Sequence, residues 1–224
     1  MKDIFSIKGK VALVTGGSRG IGEMIASGFL ASGAKVYISS RKVEVCDATA
    51  ERLTKEFGSE CISIPADLSN IEGIELLANE VTNREAKLDI LINNAGASWG
   101  APIDEYPEIG WDKVMDTNVK GVFFLTQRLL PSLRNAAKKE NPSRIVNIGS
   151  VDGIKTGGFD AFAYGPSKAA LHHLTRVLAA SLIKENIIVN AIAPGPFPTW
   201  MLSTGVGFGG ETDVDWGGVG EKNP

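Results

Sequence analysis

The stretch VALVTGGSRGIG at residues 11–22 passes from an apolar run through a glycine cluster into a helical pattern. The β-branched run over residues 11–15 predicts a strand, and the spacing of Ile21, Ile25 and Phe29 predicts a helix with one apolar face. A strand, a glycine turn and a helix in this order open the βαβ unit of parallel α/β folds. The sequence therefore predicts an α/β fold that begins with this unit.

The same alternation continues along the rest of the chain. Short apolar runs predict further strands and amphipathic stretches predict helices, with Gly58 ending the second helix. The predicted strands are 35–39, 61–66, 88–93, 144–149 and 187–193, and the predicted helices are 43–57, 71–84, 111–137 and 161–184. Six β-α units joined by crossovers place helices on both faces of a parallel sheet. The prediction is a Rossmann-type, doubly wound sheet in a three-layer α/β/α arrangement.

The composition favours a small-molecule partner over a macromolecular one. The chain has 224 residues, of which 43% are hydrophobic and 22% charged, and its net charge is -3. No basic excess is present for a nucleic-acid backbone or an anionic membrane, so neither partner is expected. Only two cysteines occur, the opening MKDIFSIKGK lacks an apolar leader, and no long apolar run follows. These features predict a cytoplasmic protein with reduced thiols.

The glycine cluster is a candidate phosphate-binding turn. A side chain at these glycines would block a pyrophosphate, and the helix N-terminus behind them faces the anion. The cofactor-binding residues predicted in this turn are Gly16, Ser18, Arg19, Gly20, Ile21 and Gly22. The spacing differs from G-x-G-x-x-G, so an ordinary glycine-rich turn is the alternative. Its position between the first strand and the first helix favours a dinucleotide site.

The end of the second strand indicates which dinucleotide is bound. An acidic residue there would bind the ribose 2′-OH of NAD, but the sequence reads YISSRK, with Ser40 at that position and Arg41 after it. Arg41, together with Arg19 in the glycine turn, offers two guanidinium groups to a 2′-phosphate. Two solvated arginines are the alternative. We therefore predict that NADP(H) is the cofactor.

Tyr164, Lys168 and Ser150 are the predicted catalytic side chains. The first two lie four residues apart in a predicted helix and project from one face. Because an ammonium stabilises phenolate, Lys168 is expected to lower the pKa of the Tyr164 phenol into a useful acid-base range. Ser150 ends the fifth strand, at the sheet edge where ligands bind, and its hydroxyl could polarise a carbonyl. For the tyrosine and the lysine, a solvated helix face is the alternative.

These motifs, in this order, resemble those of the short-chain dehydrogenase/reductase family. The sequence carries TGGSRGIG, the ADL of Asp67, NNAG at residues 93–96, Asn118, Ser150, YGPSK at residues 164–168 and PG at Pro194. The resemblance covers Gly9 to about Met201 and is closest to NADPH-dependent 3-oxoacyl (β-ketoacyl) reductases, including the rhamnolipid-biosynthesis type. Such an ordered set is far more specific than any one of its motifs.

The resemblance implies a role for each matching position. Tyr164 would be the acid, Ser150 would hold the substrate carbonyl, and Asn118 would support a water relay through a helix irregularity. Lys168 would grip the nicotinamide ribose, with Tyr164 also touching the cofactor, and Asn94 would support the central strand. The other implied cofactor contacts are Asp67 and Leu68 at the adenine, Ala95 and Gly96 after the fourth strand, and Pro194, Gly195, Phe197 and Thr199 near the nicotinamide and phosphate. Bland alternatives remain, with Asp67 as a turn former, Asn118 as a helix polar residue and Thr199 as a loop residue.

The predicted activity is the NADPH-dependent reduction of a ketone, such as a 3-oxoacyl thioester, to a secondary alcohol. Residues 1–200 are expected to form the NAD(P)-binding domain, and the glycine-rich residues 201–224 a mobile substrate loop or truncated tail, without the family's usual seventh strand. An alcohol dehydrogenase working in reverse and an NADP(H)-binding protein without turnover are the alternatives. In related proteins the two long helices pack as a four-helix interface, so the resemblance implies a homo-oligomer, either a dimer or a tetramer, if the missing strand is tolerated.

Two further groups of residues are weaker candidates. His172 and His173 follow Lys168 on its helix, and adjacent side chains point in different directions, so a surface or subunit contact is favoured over a proton relay. No cysteine or carboxylate cluster completes a metal site around them, and no metal is predicted. Trp99, just after the fourth predicted strand, either walls the substrate cleft or fills the core.

Overall fold

The computed structural model describes residues 5–156 and 160–197. Its strands are β1 Val11–Thr15, β2 Lys35–Ser39, β3 Cys61–Ser63, β4 Ile90–Asn93, β5 Ser143–Ile148 and β6 Ile187–Ile192. Its helices are α1 Gly20–Ala31, α2 Val43–Phe57, α3 Ile71–Arg84, α4 Glu108–Met115, α5 Gly121–Ala136 and α6 Tyr164–Leu182. Short 3-10 turns cover Ile103–Glu105, Val151–Gly153 and Ile183–Glu185, and a π-helical turn covers Asp116–Lys120. The strands form one parallel sheet in the order β3-β2-β1-β4-β5-β6.

The sheet is buried on both of its faces. Successive side chains of a strand point to opposite faces, so Leu13 of β1 joins the core on one face while Ala12 and Val14 join the core on the other. All three side chains are fully buried. Helices lie on both faces because a crossover between parallel strands needs a long connection, usually a helix. The predicted Rossmann-type fold is confirmed.

Several predicted elements have different bounds in the structure. Strand β4 begins at Ile90 rather than at residue 88, β5 spans Ser143–Ile148 rather than 144–149, and β6 ends at Ile192 rather than at residue 193. The sequence predicts the third strand over residues 61–66, but β3 ends at Ser63 because Pro65, close behind it, has no N–H to give to a ladder. The backbone N–H groups of Ile64 and Ala66 still donate to carbonyls of Ile38 and Ser40, at 2.9 and 3.1 Å. The last predicted helix begins at Tyr164 rather than at residue 161.

The stretch predicted as one helix over residues 111–137 is two helices with a π-helical turn between them. The first, α4, begins earlier than predicted, directly after Pro107. The π-helical turn Asp116–Lys120 widens the backbone by one residue and turns Asn118 fully inward. Gly121 follows, where an added Cβ would lie 2.4 Å from the Leu68 carbonyl oxygen, so only glycine permits this close approach.

The strand order reverses direction between β1 and β4. The chain runs outward from β1 through β2 to β3 and then returns to pair β4 against the other side of β1. In open parallel sheets, the crevice at the carboxyl ends of the strands beside such a reversal is the place where ligands bind. Thr15 and Asn93 end β1 and β4 at this edge, so the turns that follow them are neighbours.

The outer strand β6 pairs with β5 over its whole length. Across residues 5–156 and 160–197 the sheet has no seventh strand beyond it. In the same described ranges, no helix has the length and apolar character needed to cross a membrane.

Candidate active site

The glycine turn after β1 has the shape of an anion-binding loop. Gly16 and Gly20 adopt left-handed φ angles of 63° and 57°, which residues with a Cβ rarely adopt. A Cβ on Gly22 would lie 2.2 Å from the Gly16 carbonyl oxygen. Helix α1 begins at Gly20. Its N-cap residue is Arg19, whose side chain makes no capping hydrogen bond with the first turn. The positive end of α1 is therefore presented by backbone N–H groups, which suits a pyrophosphate.

Hydrogen bonds of Asn94 connect the glycine turn to the end of β4. Its Nδ2 donates to the carbonyl oxygens of Thr15 and Gly16, at 3.0 and 3.2 Å. In return, the Thr15 hydroxyl oxygen accepts from the backbone N–H groups of Asn94 and Ala95, both at 3.0 Å. These four hydrogen bonds fix the turn after β1 relative to the turn after β4, where the strand order reverses. Thr15 is a positioning residue that the sequence did not single out, although it is the polar residue that ends an otherwise apolar strand.

Arg19 and Arg41 are both exposed. Arg19 lies on the turn after β1, and Arg41 lies on the turn after β2. Ser18 beside them is buried, and its carbonyl accepts a hydrogen bond from the Thr49 hydroxyl of α2 at 3.1 Å. This bond ties the glycine turn to the helix that follows Arg41. Both arginines thus lie at the sheet edge for which the sequence predicted a 2′-phosphate site.

Asp67 and Leu68 follow β3 on the same edge. The Asp67 carboxylate accepts from the backbone N–H of Ser69 at 3.0 Å and from its hydroxyl at 2.8 Å. The Leu68 side chain is 7% exposed and packs in the core. Asp67 therefore forms the turn after β3, as its alternative role expected, and its proposed contact with an adenine stays a prediction.

Lys168 is buried at the end of β5. Its residue is 4% exposed, and its Nζ donates to the Ile148 carbonyl oxygen at 2.8 Å. The same Nζ lies 5.6 Å from the centroid of the Tyr164 ring. Burial lowers the pKa of the Lys168 ammonium to about 8. A lysine with this pKa exchanges its proton close to neutral pH.

Tyr164 differs from the sequence-based expectation. The pKa of its phenol is raised, chiefly because burial disfavours phenolate, and the Asp152 carboxylate adds to the rise. A hydrogen bond with Ser150 acts in the opposite direction and lowers the pKa. The expectation that Lys168 lowers the pKa of this phenol below its usual value is wrong for this structure, because desolvation outweighs the attractive effects. The phenol stays protonated at neutral pH.

Asn118 joins three segments around Lys168. Its Nδ2 donates to the Ala97 carbonyl and the Ser167 hydroxyl, both at 2.9 Å, and its Oδ1 accepts from the Ala97 N–H at 2.8 Å. An added Cβ on Gly96 would lie 3.4 Å from Asn118 Oδ1 and 3.6 Å from Lys168 Nζ. Because residue 96 is a glycine, the place that one Cβ would fill at contact distance from the ammonium is left unfilled. The helix irregularity expected at Asn118 is the π-helical turn.

The remaining predicted positions lie on the loop after β6. The Pro194 carbonyl accepts from the Val151 N–H at 3.0 Å, which holds this loop beside Ser150. Gly195 is open on its Cβ side, and Phe197 is 43% exposed. Thr199 lies outside the described residues.

Trp99 is partly buried and packs against helix α4. An added Cβ on Gly110 would lie 2.7 Å from the Trp99 ring, and the Lys113 ammonium sits 5.2 Å from the ring centroid. The Tyr106 hydroxyl donates to the Trp99 carbonyl at 3.1 Å. These contacts favour the interpretation that Trp99 fills the core.

The two histidines of α6 have different surroundings. His173 is exposed, and its Nδ1 lies 3.2 Å from Arg176 Nη2. His172 is half-buried, and its Nε2 faces Gly149. Among the residues that the structure describes, no cluster of three histidine, cysteine or acidic side chains could hold a metal ion.

Comparison with known proteins shows which family the chain resembles. The sequence profile described as short chain dehydrogenase matches residues 10–205. A rhamnolipids biosynthesis 3-oxoacyl-[acyl-carrier-protein] reductase of Pseudomonas aeruginosa is 56% identical over 201 residues, which cover 90% of this chain and 78% of the relative. A 2-dehydro-3-deoxy-D-gluconate 5-dehydrogenase of Dickeya dadantii is 37% identical, with 87% of this chain and 74% of the relative covered.

Solved structures give the same result. A Pseudomonas aeruginosa RhlG/NADP active-site complex superposes with a TM-score of 0.86 at 56% identity, covering 90% of this chain and 78% of that one. L-Sorbose reductase from Gluconobacter frateurii, complexed with NADPH and L-sorbose, has a TM-score of 0.82 at 30% identity, covering 95% and 80%. The family match, the relatives and the shared fold confirm the resemblance seen in the motifs. The chain belongs to the short chain dehydrogenase family of oxidoreductases.

Proposed function

We propose that this protein is an NADPH-dependent reductase that converts a ketone to a secondary alcohol. The observation that carries the proposal is the convergence of Tyr164, Lys168 and Ser150 at the carboxyl end of β5. The substrate class that we propose is a 3-oxoacyl thioester, because the relative at 56% identity is named as a 3-oxoacyl-[acyl-carrier-protein] reductase. Whichever ketone is the natural substrate, the reacting group is the carbonyl of a small-molecule substrate.

We propose NADP(H) as the cofactor, and the residues present fit it. The uncapped start of α1 would hold the pyrophosphate, the Gly96 opening would admit the ribose beside Lys168, and Arg41 would pair with the 2′-phosphate. Further proposed contacts are Gly16, Ser18, Arg19, Gly20, Ile21, Gly22, Asp67, Leu68, Asn94, Ala95, Pro194, Gly195, Phe197 and Thr199. When bound, the nicotinamide supplies the hydride. The NADP complex of the 56% identical neighbour supports this assignment.

The chain's own groups handle the carbonyl oxygen. Ser150 donates a hydrogen bond to this oxygen and orients it, while the Tyr164 hydroxyl transfers its proton to the developing alkoxide. The raised pKa of the phenol suits this task, since the proton stays on Tyr164 until the oxygen becomes basic. Lys168 lies beside the ring as a cation and stabilises the phenolate that remains. Asn118 braces the segment of Ala97 against the helix that carries both groups.

The domain and cellular assignments complete the proposal. Residues 1–200 would form the cofactor-binding domain and residues 201–224 would contribute to the substrate loop, and the family match over residues 10–205 supports the first part. A cytoplasmic location is supported by the two free, buried thiols of Cys46 and Cys61.

A substitution of the proton donor tests the reaction. Tyr164→Phe removes the hydroxyl but keeps the ring, so we expect kcat to fall by about 100-fold or more with little change in NADPH affinity. Loss of NADPH absorbance with a panel of 3-oxoacyl thioesters and other ketones measures the rate, and a fluorescence titration measures cofactor binding. Tyr106→Phe is the matched control and should keep its rate. Full activity in Tyr164→Phe would remove this residue from the mechanism.

A charge reversal tests the cofactor preference. Arg41→Asp replaces a guanidinium with a carboxylate that repels the 2′-phosphate and accepts a bond from a 2′-OH. We expect the dissociation constant for NADPH to rise at least about tenfold more than that for NADH. Arg84→Asp, on the exposed face of α3, is the control. Equal losses for both dinucleotides would contradict the assignment.

The pH dependence of stability tests the burial of Lys168. The pKa of this ammonium falls from 10.5 to about 8 on folding, so between these values the unfolded chain binds a proton that the folded chain lacks. The contribution of Lys168 to the free energy of unfolding should therefore rise with pH in this window, by up to about 1.4 kcal/mol per pH unit. The raised pKa values of the Cys46 and Cys61 thiols act in the opposite direction above about pH 9, but they do so equally in the wild type and in a Lys168 variant. Lys168→Met lacks this rise and should exceed the wild type in stability at about pH 7, with the gap narrowing toward about pH 10. Urea unfolding without cofactor measures both curves, and parallel curves would refute the burial effect.

We also propose a homo-oligomer. Trp111, Phe123 and Val177 are large apolar side chains on α4, α5 and α6 that remain between 37% and 51% exposed. We expect light scattering to report a dimer or a tetramer, and the double substitution Phe123→Glu and Val177→Glu to shift it toward the monomer. A monomeric wild type would contradict this part of the proposal.

A further inference from the structure

Helix α6 contacts the end of β5 through three side chains that follow one another at four-residue spacing. Tyr164 hydrogen bonds with Ser150, and Lys168 donates to the Ile148 carbonyl. His172, one helical turn further, contacts Gly149, which lies between those two partners. The three side chains of α6 therefore contact three consecutive residues, 148–150. The reaction proposed above uses Tyr164 and Lys168 but gives no role to His172.

The contact between His172 and Gly149 is close and specific. An added Cβ on Gly149 would lie 1.9 Å from His172 Nε2, so the imidazole occupies the space that any other residue at 149 would need. On its other side, the Gly149 N–H donates to the Ile192 carbonyl of β6 at 2.7 Å. The backbone that leads into Ser150 is thus held between a strand and the imidazole ring.

The ring atoms define the protonation state that fits. His172 Nε2 is buried and has no hydrogen-bond partner among the described residues, while the Gly153 backbone serves the ring as a hydrogen-bond acceptor. A neutral ring that carries its proton on Nδ1 can donate to the Gly153 backbone, and this tautomer leaves the unpartnered Nε2 without a proton. A proton added at Nε2 would create a buried donor directed at Gly149, with no acceptor.

The charges that face His172 oppose that proton as well. Lys168 and Arg176, both on α6, are the cations that act on the ring, and burial has the larger effect in lowering the pKa of the imidazole. From the 3-10 turn packed against α6, the Gly153 carbonyl acts in the opposite direction. Asp152 and Lys155, which stand on or next to that turn, act on each other, and Asp152 also acts on Tyr164.

We propose that His172 is a positioning residue for the reduction: as a neutral imidazole it holds Gly149, and through it the Ser150 hydroxyl, in place for the substrate carbonyl. The inference rests on the proposed function. Protonation would push the ring away from Gly149 and release the Ser150 segment. The enzyme should then lose activity in acid through a group that never touches the substrate.

The pH profile of turnover tests the inference with a matched pair, because the chain has only two histidines and they are neighbours. In the wild type and in His173→Gln, kcat/KM for the ketone should fall as the pH decreases below about 6.5. In His172→Gln, which keeps a neutral polar side chain at every pH, this acid limb should be absent or displaced by at least about one pH unit. Asp152→Asn should keep the limb, because Asp152 is the other group near Tyr164 that titrates in acid.

A truncation separates positioning from simple packing. His172→Ala should lower kcat about tenfold at the pH optimum, leave the KM for NADPH unchanged, and be restored largely by His172→Gln. Circular dichroism at each pH checks that every variant is folded. If His172→Ala has a lower Tm but the wild-type kcat, the residue has only a structural role and the inference is overturned.

A direct titration keeps this result distinct from failure of the proposed function. Proton NMR should show two imidazole signals, and the one that survives in His173→Gln should titrate below about pH 6.5. An inactive wild type would refute the proposed function and leave this titration to be measured. An active wild type whose acid limb persists in His172→Gln, or a His172 signal that titrates at or above about pH 6.5, would overturn the inference.

Discussion

The burial of the Lys168 ammonium is the constraint on which the geometry of the site depends. A charge with 4% exposure would be strongly unfavourable without an acceptor, and the Ile148 carbonyl at 2.8 Å supplies one. Helix α6 must therefore lie against the end of β5. The same contact brings Tyr164 to Ser150 and His172 to Gly149, because all three side chains project from one face of α6. One buried cation thus sets the separation between the helix that carries the proton donor and the strand end that carries the carbonyl-binding hydroxyl.

Buried polar bonds transmit this placement to the rest of the sheet. Asn93 of β4 donates to Asn147 of β5, and Asn147 donates to Thr175 of α6, each at 2.9 Å. Thr15 and Asn94 then join the end of β4 to the glycine turn after β1. Buried amides and hydroxyls are favourable only when they are paired, so this chain of bonds specifies one register between the strands and α6. The half of the site that would hold the pyrophosphate and the half that moves the proton are therefore parts of one rigid edge.

The sequence predicts the order of elements well, because strand and helix periods differ and the glycine turn marks where they meet. Helices α2 and α3 and strands β1 and β2 have the predicted bounds. The π-helical turn at Asn118 interrupts a helical pattern, and only its tertiary partners Ala97 and Ser167 stabilise it, so no local pattern indicates its bounds. The same limit applies to the site. Four-residue spacing places Tyr164 and Lys168 together, but the pKa of each depends on burial, which spacing does not report. The burial of His172 against Gly149 is likewise a tertiary contact, and two adjacent histidines gave no sign of which one turns inward.

The direction of the pKa shifts carries an argument about the direction of catalysis. A dehydrogenase that oxidises an alcohol needs a phenolate, or a phenol that ionises readily, to accept the hydroxyl proton. Burial and the Asp152 carboxylate both oppose phenolate at Tyr164, and the fall in the pKa of Lys168 to about 8 weakens the positive charge that would favour it as the pH rises. The same shifts favour reduction, where a protonated phenol is needed at the start of each turnover. Near neutral pH, the Tyr164 phenol is therefore protonated, which is the state that the reduction of a ketone requires at its start.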